Sequence, residues 1–289
     1  MSEPGPASDQ ECLFNVLEVV DGQATSRDDA VVVEEPVEIR LIFGPVDGRQ
    51  MRSVSITMRT PGHDEELAAG FLYGENIVHQ AGDISGFRIR GLDPSGQQTG
   101  NIVAVELDPA AAVDIGRLQR HFFTTSSCGV CGKASLDALE VIGLQPLESG
   151  TIRLDARQVG RLPDRLREHQ ATFARTGGLH AAGLVDRNGD LVAVREDVGR
   201  HNAVDKLVGR YFLDGKTPLG EYAMIVSGRL SFEILQKALV AGISLIVAVG
   251  APSSLAVDLA QRYNQTIIGF ASQSRFNVYS GAQRIAGIS

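Results

Sequence analysis

Two cysteines three positions apart, Cys128 and Cys131, lie in the run Ser126-Ser127-Cys128-Gly129-Val130-Cys131-Gly132-Lys133, ahead of a stretch with helical character. A thiol beside free helix N–H groups and a lysine ionises readily, its pKa falling from about 8.5 to somewhere near 3.5–7.5. Gly129 and Gly132 leave room for a bulky partner to approach. These are the requirements of a nucleophilic sulfur that takes a group from one molecule and gives it to another. The spacing alone also admits a thioredoxin-like dithiol, half of a four-cysteine zinc site shared across a dimer, or two inert buried thiols. The third cysteine, Cys12, is far away in sequence.

A second concentration of chemistry is Arg195-Glu196-Asp197-Val198-Gly199-Arg200-His201-Asn202, placed between an expected strand and an expected helix. Open α/β sheets bind ligands at such strand ends. Asp197 and His201 could read the edge of a base or pterin, and Arg200 could hold phosphate; a capped helix with solvated charges is the plain alternative. Val226-Ser227-Gly228-Arg229-Leu230-Ser231 repeats the strand-turn-helix arrangement, with Ser231 as an expected N-cap and Ser227, Gly228 and Arg229 as an anion seat. Gly250-Ala251-Pro252-Ser253-Ser254 repeats it again. The turn Phe270, Ala271, Ser272, Gln273, Ser274, Arg275 closes the series with a positive charge. Several such turns on one sheet edge describe a nucleotide-sized pocket better than any one of them. His180 could reach the same edge or could be structural. His63-Asp64-Glu65 with the cysteine pair imitates a zinc deaminase signature, but Ser127 stands where that signature needs proline; an acidic helix start explains Asp64, Glu65 and Glu66 more simply.

The elements that must hold these residues follow from periodicity and turn signals. Strands are expected over 14–20, 30–34, 37–43, 54–58, 86–91 and 102–107, with a helix over 63–76, which makes the front of the chain β-rich. Helices over 156–172, 202–211, 232–241 and 254–263 alternate with strands over 181–185, 191–194, 222–226, 244–249 and 266–270. That order predicts an α/β sheet covered by helices on both faces. The expected division is a disordered tail over 1–11, a β-rich subdomain over 12–117, a flexible connector carrying the cysteines over 118–134, and an α/β domain over 135–289.

The 289 residues carry 27 Lys plus Arg against 35 Asp plus Glu, a formal charge of −8. No global nucleic-acid footprint is compatible with that balance, and Trp is absent. No apolar run approaches the roughly 20 residues that a membrane-crossing helix needs. The acidic N-terminus lacks the order of a secretory signal, and three cysteines cannot build a disulfide framework. A cytoplasmic location is expected, with neither membrane nor nucleic acid as partner.

Five ordered motifs, SSCGVCGK, GGLHAAGL, REDVGRHNAVDK, SGRLSFEILQKA and VGAPSSLAVDLA, resemble the FdhD family of formate dehydrogenase accessory proteins, over about residues 16–285. The resemblance implies a sulfur carrier or sulfurtransferase. It would take persulfide sulfur from a cysteine desulfurase and pass it to the molybdenum of bis(molybdopterin guanine dinucleotide), the cofactor destined for formate dehydrogenase. It makes Cys128 the persulfide carrier, Cys131 its companion, and residues 270–275 part of the cofactor-binding surface. It also implies a homodimer, a site that a guanine nucleotide can occupy, and a three-layer αβα mixed sheet similar to cytidine deaminases. On that fold Glu196 and Asp197 fall near the deaminase acid motif and 227–231 near its zinc cysteines, so no resident metal is expected. A cofactor-binding chaperone without sulfur transfer and a zinc-dependent deaminase are the rival readings.

Overall fold

The structure is a computed structural model that describes residues 10–92, 98–111, 144–148 and 152–288. The cysteine pair, the connector expected over 118–134, the stretch of expected helical character after it and most of the expected N-terminal tail lie outside the described residues. The chain begins with a hairpin of β1 (Glu11–Val20) and β2 (Gln23–Val32). Its two-residue turn, Asp21-Gly22, has φ of 51° and 82°, the left-handed pair that matches the twist of a hairpin. The hairpin forms a sheet of its own.

A four-stranded sheet follows, ordered β4-β3-β6-β5, from β3 (Glu35–Phe43), β4 (Gln50–Arg59), β5 (Ile84–Leu92) and β6 (Gln98–Leu107). β3 runs antiparallel to β4 and parallel to β6. Val37, Ile39, Leu41 and Phe43 alternate into the core, the period-2 burial of a sheet with one covered face. The cover is helix α1 (Asp64–Gly74), entered through His63 in a left-handed conformation and opened by three acidic residues.

The larger sheet has six strands, ordered β13-β12-β11-β10-β8-β9. These are β8 (His180–Val185), β9 (Leu191–Asp197), β10 (Ala223–Val226), β11 (Leu245–Ala248), β12 (Thr266–Gly269) and β13 (Asn277–Ser280). β10, β11 and β12 are parallel neighbours; β8, β9 and β13 are antiparallel additions. The central runs AMIV, LIVA and TIIG are buried at every position, as strands covered on both faces must be. Helix α2 (Ala156–Glu168) covers one face through Val159, Leu162 and Leu166. Helices α4 (Arg200–Leu213), α5 (Phe232–Val240) and α6 (Ser254–Arg262) cover the other. Two short strands, β7 (Leu154–Asp155) and β14 (Ile285–Ala286), pair separately.

The front and back halves share one core, in which β3, β6 and α1 join α4, α5 and α6. The joint is the crossing of α1 and α4. A Cβ on Gly70 would overlap the carbonyl oxygen of Asp205, and one on Gly209 would overlap that of Glu66. Two glycines facing each other let the helix backbones touch.

Two expectations change. The strand expected over 30–34 is the end of β2, which starts at Gln23; the polar run QATSRDD conceals it because both faces of the hairpin meet solvent. The single helix expected over 156–172 is two, because α2 stops at Glu168 and α3 (Ala171–Thr176) starts anew after His169-Gln170. Glu196 enforces the restart: its carboxylate accepts from Thr172 N at 3.2 Å and Phe173 N at 2.9 Å, capping the new helix.

Candidate functional site

The carboxyl ends of β10, β11 and β12 lie beside the amino end of β8, since Val226 pairs with Ala182 and His180 with Asp197. The turns leaving these strands are laced together by backbone hydrogen bonds. Gly250 N donates to Gly228 O at 3.1 Å, Phe270 N to Gly250 O at 3.1 Å, and Leu230 N to Ala251 O at 3.0 Å. A Cβ on Gly250 would stand 2.9 Å from the Arg229 backbone, so only glycine lets these two turns meet. α4, α5 and α6 all start here, and their N-terminal partial charges add at one edge.

Two arginines and a histidine converge on this edge. A Cβ on Gly228 would meet the His180 ring at 3.4 Å and Arg200 Cδ at 3.6 Å. Burial, and then the charges of Arg200 and Arg229, hold His180 below its ordinary pKa, which keeps its imidazole neutral. Arg200 Nε is buried without a hydrogen-bond partner, while Arg229 is exposed. Positive charge, helix N-termini and unspent donor capacity suit an anion such as a phosphate.

The expected site residues divide between this edge and the framework behind it. Gly228, Arg229, Arg200 and Phe270 stand on the edge, Phe270 with φ of 53° and its ring partly exposed. In the same turn, Ala271 is buried, and Ser272 closes it by donating to Arg275 O through both its N–H and its hydroxyl. Gln273, Ser274 and Arg275 are exposed. Asp197 departs from expectation: it is fully buried. Its Oδ1 accepts from Gly199 N and Asn202 Nδ2, and its Oδ2 from Thr60 N and the Lys206 ammonium, the last at 2.7 Å. No lone pair remains to read a base. Ser227 is similarly engaged, its hydroxyl accepting from Ala181 N at 2.9 Å and so prolonging the β8–β10 pairing. Ser231 holds the N-cap position of α5 but makes no cap hydrogen bond; its hydroxyl lies 3.0 Å from His201 Nε2. The sequence reading did not single out Lys206, whose ammonium reaches Thr60 O at 2.8 Å, and its place in a helix gave no signal of burial.

His201 also walls a cavity of about 330 Å³ between β3, β4, α1, α4 and α5. Glu75, Asp205, Glu233 and Lys237 supply its charges, over a floor that includes Ile39, Leu67 and Phe71. Lys237 pairs with Asp205 at 2.8 Å. Burial works against its charge, but Asp205 and Glu75 outweigh it and raise its pKa. Burial pushes Asp205 up to about 6 despite Lys237. Burial, with the charges of Arg200 and Lys237, takes His201 down to about 4. The His63 ring lies 3.4 Å from Glu66, and among the described residues no group of three His, Cys, Asp or Glu is arranged to hold a metal. No described helix is long and apolar enough to cross a membrane.

The model of the FdhD/NarQ family matches residues 32–286. The sulfur carrier protein FdhD of Streptomyces coelicolor is 48% identical over 273 residues, 94% of each chain. That of Mycobacterium tuberculosis is 45% identical, covering 91% of this chain and 94% of its own. That of Saccharolobus solfataricus is 38% identical, covering 94% and 97%. A crystal structure from Desulfotalea psychrophila, described provisionally as a formate dehydrogenase accessory protein, superposes with a TM-score of 0.70 at 25% identity, over 96% of this chain and 99% of its own.

Proposed function

Because the chain belongs to the FdhD/NarQ family of sulfur carrier and formate dehydrogenase accessory proteins, we propose that it carries persulfide sulfur from a cysteine desulfurase to the molybdenum of bis(molybdopterin guanine dinucleotide). Formate dehydrogenase is the destination of that substrate. The carrying observation is the strand-end edge, where His180, Arg200 and Arg229 meet the starts of three helices around two close-packed glycines. Such an edge suits the phosphates of a guanine nucleotide, with the 270–275 turn as its outer wall.

The chemistry belongs to Cys128. Its thiolate attacks the terminal sulfur of the desulfurase persulfide; the desulfurase cysteine leaves as thiolate and Cys128 holds the extra sulfur. The bound nucleotide end of the substrate keeps molybdenum near that sulfur, so delivery becomes a step within one complex, favoured by orientation. Cys131 then attacks Cys128 Sγ, the terminal sulfur departs as sulfide to molybdenum, and a Cys128–Cys131 disulfide remains for a cellular thiol to reduce.

Intact-mass spectrometry after incubation with a desulfurase and cysteine tests this reading. The chain gains one sulfur atom, Cys128→Ala gains none, and both bind guanosine diphosphate alike. Equal sulfur loading of Cys128→Ala sinks the assignment, and normal formate dehydrogenase maturation by the double alanine variant would favour a chaperone that only shields the cofactor.

A further inference from the structure

The chain is acidic, with a formal charge of −8, yet α2 turns a basic face to solvent. Arg153, just ahead of the helix, is followed by Arg157 and Arg161 at four-residue intervals. All three are exposed, and none makes an ion pair or hydrogen bond among the described residues. Arg165, next in the series, is half-buried and taken up by Asp190 at 2.8 Å. Helical residues four apart share a face, and like charges placed so repel.

The helix itself gains nothing from them. Asp155 caps α2, but the first turn holds no acid and Arg157 stands second in the helix, against the positive end of the dipole. The acids of α2, Asp164 and Glu168, fall in its second half. α1 shows the ordinary arrangement, opening on Asp64, Glu65 and Glu66. Exposed cations that oppose the dipole, repel one another and pair with no acid break a local rule without a structural return, which marks a surface kept for a partner.

The place of this face says which partner. A Cβ on Gly160 would stand 3.1 Å from Gln273 O and 3.5 Å from Ser272 O, so α2 rests against the 270–275 turn at a residue flanked by Arg157 and Arg161. Arg275 is exposed in that turn, and Arg229 is exposed in the turn that Gly250 joins to it. Positive charge thus runs from the strand-end edge, across its outer wall, onto α2. We propose that this arginine face docks an acidic surface of the enzyme that receives the substrate, the apo form of formate dehydrogenase; the proposal rests on the reading of the strand-end site above. A protein seated here lies beside the bound nucleotide, where a recipient must stand, whereas the sulfur donor has to reach Cys128. Arginine forks suit carboxylates in a protein interface, and the net charge of the chain repels a nucleic acid or an anionic membrane.

Surface plasmon resonance with cognate formate dehydrogenase purified without its cofactor tests this on the full-length chain. The wild type binds the apoenzyme with an association rate that falls as salt rises. Arg157→Glu/Arg161→Glu associates about tenfold more slowly at low salt, while Arg210→Glu, exposed on α4 across the sheet, binds as the wild type does. The double variant folds, because acids at the start of α2 suit its dipole; its urea midpoint is at or above that of the wild type. It also binds guanosine diphosphate and takes up sulfur normally. Apoenzyme binding that is absent from the wild type, or indifferent to the double variant, overturns the docking surface; sulfur loading of Cys128, measured separately, decides the carrier reading. Weakened guanosine diphosphate binding overturns the docking surface too, by giving the arginines to the nucleotide site. Arginine-dependent binding of a DNA duplex, with apoenzyme binding unchanged, overturns it in favour of nucleic acid.

Discussion

Asp197 and Arg200 stand three residues apart and do unlike work. Asp197 is sealed in with Lys206, and removing one partner of a buried ion pair leaves an uncompensated charge that costs about 3–5 kcal/mol. Asp197→Ala therefore lowers the urea midpoint of the folded protein substantially. Arg200 holds a buried nitrogen without a partner at the strand edge. Arg200→Ala leaves stability nearly intact and weakens guanosine diphosphate binding about tenfold or more, the loss of one or two charge-assisted hydrogen bonds. Titration calorimetry beside urea unfolding separates the two; a binding loss confined to Asp197→Ala would invert the assignment. In the sequence both residues look like ligand contacts, because six polar side chains within eight residues give no sign of which turn inward. The partners that decide it, Thr60 and Lys206, come from other parts of the chain.

Elements were easier to anticipate than contacts, for a physical reason. β10, β11 and β12 are short apolar runs bounded by turn formers, and the helices between them repeat their apolar residues at helical spacing, so local pattern and final burial agree. β2 defeats that logic, since a solvated ribbon needs no alternation, and the α2–α3 break depends on the distant Glu196 carboxylate. The α1–α4 crossing was likewise hidden: Gly70 and Gly209 are ordinary helical glycines until the two backbones are placed together. Gly209→Ala must push α1 off α4 and costs about 3 kcal/mol, at the high end of overpacking. Gly82→Ala, with nothing within 4 Å of the added carbon, changes stability by less than about 0.5 kcal/mol. Equal urea midpoints for these two variants would show that the crossing is not tight.

At the scale of the molecule, the seam between the front sheet with α1 and the six-stranded layer carries ionisable pairs as well as apolar side chains. Arg195 of β9 grips Glu66 of α1 through two bonds of 2.5 and 2.7 Å, and Lys237 of α5 joins Asp205 of α4 near Glu75. Stability therefore depends on pH through opposing groups. Burial alone would raise Glu66, but Arg195 and His63 bring it down to about 2 from 4.5; its contribution is complete above 4.5 and is lost as pH falls towards 2. His201, lowered to about 4 from 6.5, binds its proton less tightly when folded, so it subtracts stability as pH falls from 6.5 to 4. Asp205, raised to about 6 from 3.8, holds its proton more tightly when folded, so it adds stability as pH falls from 6 to 3.8. Between pH 6 and 4.5 the last two oppose each other, and below 4.5 Glu66 joins the loss. The wild-type Tm thus changes little from pH 6.5 to 4.5 and then drops steeply. Asp205→Asn removes the compensating group, so its Tm starts to decline near pH 6.5. Superimposable Tm profiles for the two proteins, measured by calorimetry across that range, would refute the opposition of His201 and Asp205.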